Sequence, residues 1–324
     1  MCVCVCVSNG TSSTESFEEF FSKILVSVLL GFTIICINGS LVFTFFKSSV
    51  FYNNPRYVLY IHLVINDMIM VGVSVTLLVL AYTWNNVRIS FCFVLVIIAS
   101  ATQKNTPLIL AAMAIERYIA ICKPLHHSQI CTLHRTFILN VLIWGVGLIP
   151  PLTDFVISAI IFPLFIYNTV TVCSSSFLYN TVYHDQRKQA TEVIYMSFVW
   201  IVLVYTYCRV LIAARKMSSD KESTKKAKRT ILLHGVQQLL CMLSFTPPVL
   251  DFVFVRILPT QWRKISFYAY LITNIVPRLL SPLIYGMRDQ TFVKHLNRNF
   301  SFRVLILKVE SDKNIVINNI LFVP

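Results

Sequence analysis

Seven long, mostly apolar runs dominate this chain and leave it few ways to fold. About 20 such residues, wound as an α-helix, cross the roughly 30 Å hydrocarbon core of a bilayer. The runs are Lys23–Phe46, Tyr57–Thr83, Phe91–Cys122, Phe137–Ile160, Thr191–Ala214, Thr230–Val255 and Ile265–Met287. In lipid every backbone N–H and C=O must be satisfied internally, so each run is predicted to be a helix. Composition agrees: 56% of the residues are hydrophobic, 13% are charged and the mean hydropathy is +0.70. A soluble domain carries about 25% charged residues. The fold class expected is an all-α integral membrane protein, a seven-transmembrane helix bundle. An extracellular tail spans 1–22, the bundle 23–287, and the cytoplasmic segment 288–324 opens with a short amphipathic helix.

The third run is interrupted by Gln103, Lys104 and Asn105, which places it among the other helices and away from lipid. The fourth ends at Pro150-Pro151 or continues past them with a kink. The opening Met1-Cys2-Val3-Cys4-Val5-Cys6-Val7 is apolar but short, so the first span is expected to act as an uncleaved signal-anchor.

A net charge of +14 would suggest nucleic acid or anionic surfaces in a soluble protein; here its distribution matters more. With the N-terminus outside, the inner loops and tail hold 18 Lys and Arg: Lys47, Arg56, Lys123, Arg135, eight from Arg209 to Arg229, and six from Arg288 onward. The outer segments hold 6, namely Arg88, Arg187, Lys188, Arg256, Arg263 and Lys264. Basic residues concentrate on the cytoplasmic side of membrane proteins, so this excess orients the chain N-terminus out. The sequon Asn9-Gly10-Thr11 agrees, because glycosylation at Asn9 needs a lumenal segment.

The strongest local pattern is Met113-Ala114-Ile115-Glu116-Arg117-Tyr118-Ile119-Ala120-Ile121-Cys122-Lys123-Pro124-Leu125. It resembles the inner end of the third helix in rhodopsin-like G-protein-coupled receptors, in the form found in odorant receptors. Ser281-Pro282-Leu283-Ile284-Tyr285 is similar to the family's N-P-x-x-Y with Ser for Asn. Asn38, Leu63 with Asp67, and Tyr207-Cys208-Arg209-Val210 match further family landmarks. Asn54-Pro55-Arg56-Tyr57 and Arg288-Asp289-Gln290-Thr291-Phe292 look most like odorant receptors of bony fishes. The sequence departs from the family pattern where Phe245 stands at the position of the sixth-helix Trp, and in lacking a proline in the middle of the fifth span.

The resemblance implies a coupling site of Glu116, Arg117, Tyr118, Tyr207, Pro282 and Tyr285. Glu116 pairs with Arg117 at rest, and activation frees Arg117 as the sixth span swings outward. Cys92 lies 25 residues before Arg117 on one helix, about 37 Å at 1.5 Å per residue, and is therefore extracellular. Beyond the first helix the other cysteine in an outer loop is Cys173, so a Cys92–Cys173 disulfide is predicted. Asp67 and Arg278 lie at similar depth in their spans. Many relatives hold sodium on the equivalent aspartate; here an Asp67–Arg278 pair is predicted instead, either as a hinge or as a purely stabilising pair. By depth, the ligand-binding candidates are Ser100, Gln103, Lys104, Phe245, Asp251 and Asn274. Each has a bland alternative as a contact between helices, and for Lys104 that structural role is favoured.

No G-x-S-x-G, H-E-x-x-H or Gly-rich phosphate loop is present, so enzymatic activity is not expected. Transporters show repeated halves, and none are visible. The function the resemblance implies is an odorant receptor that raises cyclic AMP through a stimulatory G protein; a non-olfactory chemosensory or other rhodopsin-like receptor is the nearest alternative. Expected partners are a small odorant, a heterotrimeric G protein, the bilayer and a second receptor copy. No nucleic acid, cofactor or metal is expected. The plasma membrane, specifically that of olfactory cilia, is the implied location.

Overall fold

The computed structural model describes residues 17–83, 87–161, 170–171, 173, 182–216, 262–280 and 290–299. Among them are five helices long and apolar enough to cross a membrane. In chain order the helices are α1 (Phe17–Lys47), α2 (Ser49–Tyr52), α3 (Pro55–Thr83), α4 (Ile89–Cys122), α5 (Pro124–Ile130), α6 (Leu133–Ile161), α7 (Val182–Lys216), α8 (Trp262–Tyr270) and α9 (Gln290–Asn299). The candidate spans lie in α1, α3, α4, α6 and α7. The predicted run Thr230–Val255 lies outside the described residues. The seventh run is described as far as 280: α8 leads into a π-helical turn, Leu271–Ile275, and 276–280 are helical again.

Helix α4 is the central post, packing against α3, α6 and α7. Its residues Ala101–Thr102–Gln103 and Asn105–Thr106–Pro107 are buried, whereas α6 turns Val141, Leu142, Ile149 and Ile160 outward. Exposed aliphatic side chains of this kind suit acyl chains. Lipid is as apolar as leucine, so helix association must come from close packing and hydrogen bonds. Both appear at the α4–α6 crossing. Gly147 faces the Asn105 side chain so closely that a Cβ added there would collide with its amide group. Turned so that its nitrogen faces inward, the Asn105 amide donates to Ala101 O at 3.2 Å and Ile143 O at 3.1 Å. Trp144 Nε1 donates to His62 Nε2 at 2.8 Å, joining α6 to α3.

Helix α6 runs unbroken through Pro150-Pro151 to Ile161, which decides between the two predicted endings in favour of continuation. Helix α7 begins at Val182, nine residues before the predicted Thr191, and α1 begins at Phe17, ahead of the predicted Lys23. These extensions carry helices beyond the apolar runs, where water satisfies polar side chains. Helix α9 buries Phe292 at 1% exposure against Phe51 of α2 and Tyr60 of α3, with ring centroids 5.1 and 5.7 Å apart. Phe292, His295 and Leu296 share one face by their i, i+3, i+4 spacing. That face anchors the amphipathic helix.

Candidate functional site

Three sets of polar side chains lie along α4, at its N-terminal end, its middle and its C-terminal end. Cys92 near the start of α4 is disulfide-bonded to Cys173, with Cα atoms 5.6 Å apart. Two short strands beside it, β1 (Val87–Arg88) and β2 (Val170–Thr171), pair antiparallel with Val87 opposite Thr171. The connection between α6 and α7 is thus fastened twice near the start of α4. Nearby, Arg187 of α7 is ion-paired with Asp154 of α6, and its Nη2 donates to Pro150 O at 3.3 Å. Burial lowers the Arg187 pKa from its ordinary value, while the guanidinium remains charged.

In the N-terminal half of α4, Gln103 is buried and Ser100 and Lys104 are half-buried. The Lys104 ammonium sits 5.8 Å from the centroid of the Tyr195 ring, a cation–π distance, and the Tyr195 hydroxyl donates to Val146 O at 2.5 Å. Asn274, in the π turn, is fully buried and its amide donates to Thr273 Oγ1 at 2.9 Å. The structure therefore brings Lys104 against α7, and holds Asn274 within the packing of the seventh segment. Phe245 and Asp251 lie outside the described residues.

At mid-bundle the charges meet. Arg278 Nη1 donates to Asp67 Oδ1 at 3.0 Å, with Asp67 at 0% and Arg278 at 1% exposure. Thr106 Oγ1 lies 3.3 Å from the same carboxylate oxygen. Asn66 Nδ2 donates to Thr102 O at 2.9 Å and to Thr106 Oγ1 at 3.0 Å. Isolated buried charges are costly, and pairing with added hydrogen bonds is what makes them tolerable. This network joins the seventh segment to α3 and α4.

Near the C-terminal end of α4, Glu116 is buried at 6% exposure. Its Oε2 lies 3.7 Å from Arg117 Nε, and its Oε1 lies 3.1 Å from His127 Nε2 on α5. The histidine is a residue that the sequence pattern did not single out. Burial, and next the Glu116 charge, raise the pKa of the Cys131 thiol, which stays protonated. Tyr118 lies 6.0 Å, ring to ring, from Tyr205 on α7. Tyr207 packs against the Ala114–Val199–Leu203 cluster. Pro282, Tyr285 and Asn9 lie outside the described residues.

A bundle of helices long and apolar enough to cross a membrane, with outer faces suited to lipid and a buried Asp67–Arg278 pair at its middle, defines a polytopic membrane protein in class. Residues 6–285 match the family model described as 7 transmembrane receptor (rhodopsin family). The chain belongs to that family. It is 30% identical to Odorant receptor 131-2 of Danio rerio over 295 residues, covering 89% of this chain and 90% of that relative. Olfactory receptor 4F4 of Homo sapiens is 24% identical over 76% of this chain and 80% of its own, and Olfactory receptor 4K15 of Homo sapiens 24% over 97% and 94%. The protein is a multi-pass membrane receptor and not an enzyme.

Proposed function

We propose that this receptor binds a small extracellular odorant within its outer half and activates a heterotrimeric G protein, stimulatory in type, that raises cyclic AMP. The N-terminus lies outside, and olfactory cilia are its location. The observation that carries this reading is the continuity of α4. One helix bears the half-buried Lys104 and buried Gln103 in its outer half, Thr102 and Thr106 in the core network, and Glu116-Arg117 at its cytoplasmic end. A small rotation or shift of this post in response to a ligand would be felt at the coupling end. The names of the relatives support the odorant as ligand class.

Within this reading, Arg278, paired with Asp67, is a fixed cation in the place where sodium would sit, and the pair is the hinge about which the seventh segment moves. Glu116 and Arg117 form the latch, and Tyr207 and Tyr285 stabilise the opened cleft. The test is an odorant panel on cells expressing the full chain, with cyclic AMP and membrane current recorded together. Responses should appear in cyclic AMP, disappear when the stimulatory Gα subunit is deleted, and be lost in Arg117→Ala at equal surface expression. A current that survives deletion of G proteins would instead make the chain a channel.

A further inference from the structure

Glu116 and Arg117 are consecutive residues of one helix, roughly 100° apart around its axis. Their 3.7 Å approach is too long for a good hydrogen bond and joins α4 only to itself. A contact within one rigid element cannot by itself hold two elements together. The shorter contact made by the same carboxylate, 3.1 Å to His127 Nε2, reaches a different element, the α5 helix of the second inner loop.

We propose that His127 is a positioning residue for G-protein coupling: its ring ties α5 to the Glu116 carboxylate, holds that carboxylate at rest, and tightens its hold as the cytosol acidifies. The proposal deepens the coupling reading above and rests on it. The rest of the loop is arranged so that the ring stays in place. The α5 backbone closes on itself from Cys131 N to His127 O at 2.8 Å. Arg135, at the start of α6, donates from Nη1 to Gln129 O at 3.1 Å and Ile130 O at 3.3 Å, fastening the end of α5. A histidine side chain is 29% exposed here while the carboxylate is 7% exposed, so protons can reach the ring without opening the bundle.

Among the described residues, the charged and titratable groups around the ring are these. From α4 come Glu116 and Arg117; from the loop itself, exposed Lys123 and His126, and Cys131 with its protonated thiol; from α6, Arg135, already engaged with backbone carbonyls. Imidazole is the side chain whose charge changes in the physiological range. A neutral ring gives Glu116 one ordinary hydrogen bond; an imidazolium gives a charge-assisted one, shorter and stronger. Protonation therefore favours the arrangement in which Glu116 is held, and the sign follows: acid stabilises rest, alkali releases it.

The experiment has two readouts. The first needs no G protein: hydrogen exchange of peptide 124–131 in the purified full chain in lipid nanodiscs, at about pH 7.4 and about pH 6.4, corrected for intrinsic rates. In the wild type, protection should rise at the lower pH; in His127→Gln, which keeps a hydrogen bond but cannot titrate, it should not change with pH. The second is agonist-independent cyclic AMP in cells clamped at the same two pH values, normalised to forskolin. Here His127→Phe should raise basal output about tenfold, the effect of losing one hydrogen bond to a buried charged group, and both variants should lose the pH dependence. Equal protection at both pH values in the wild type, or a pH response retained by His127→Gln, overturns the proposal. Normal exchange behaviour with no change in signalling would leave the contact intact but overturn its link to coupling, and with it the G-protein reading of this site.

Discussion

Replacing Arg278 by Leu would put the core network to its hardest test. The substitution removes the guanidinium that lies 3.0 Å from Asp67 and leaves a carboxylate at 0% exposure facing apolar helices. Breaking a buried pair by deleting one partner costs about 3–5 kcal/mol, because the remaining charge is uncompensated. With about 2–4 °C of midpoint per kcal/mol for chains of 150–250 residues, the unfolding midpoint in detergent should fall on the order of 10 °C. Two rescues distinguish charge from packing. Asp67→Asn in the same chain removes the stranded charge and should restore most of the loss. Sodium should also restore part of it, supplying the missing cation: at ten times its dissociation constant it returns about 1.4 kcal/mol. Thermal unfolding of single and double variants, titrated with sodium against choline, measures all of these, and basal cyclic AMP should become sodium-sensitive in Arg278→Leu alone. A double variant no more stable than the single, or a sodium response equal in wild type and Arg278→Leu at normal surface expression, would refute the reasoning.

Gly147→Ala should lower the unfolding midpoint by the equivalent of about 1–3 kcal/mol, since its methyl displaces the buried Asn105 amide, and Asn105→Ala should recover much of that loss in a double-mutant cycle. Cys173→Ser should cost about 2–4 kcal/mol and unfasten β2, measured by detergent unfolding and by protease sensitivity of the second outer loop. Phe292→Ala should free α9 from Phe51 and Tyr60, read as faster amide exchange across 290–299 with little change in the exchange of α4.

The membrane-crossing helices were readable because lipid imposes one rule on every run, so Lys23–Phe46, Tyr57–Thr83 and Phe91–Cys122 fall within α1, α3 and α4 with modest shifts. Their ends were not. His184-Asp185-Gln186-Arg187-Lys188 reads as a polar loop, yet it continues α7, because outside the bilayer a helix needs no apolar face and Arg187 finds Asp154 across the gap. The depth of Asp67 and Arg278 placed them level with each other, but depth along a helix says nothing of rotation about it. His127 was invisible for a related reason. A histidine in a loop carries no pattern of its own, and its meaning comes from the carboxylate that folding brings to it. The four-residue α2 is too short for any periodicity, and only Phe51 inside the aromatic cluster explains its place.

The turn at Leu271–Ile275 has a consequence for how this chain can change. Its backbone closes from Val276 N to Leu271 O, five residues back, so it holds one residue more than an α-turn would. Removing that residue would let the helix close normally while everything after it, Arg278 included, kept its facing. Winding the same residues into regular α-helix without a deletion would instead swing Arg278 by about 100° away from Asp67. The segment thus acts as a slack loop in the thread, where a residue can be lost without turning Arg278 away from Asp67.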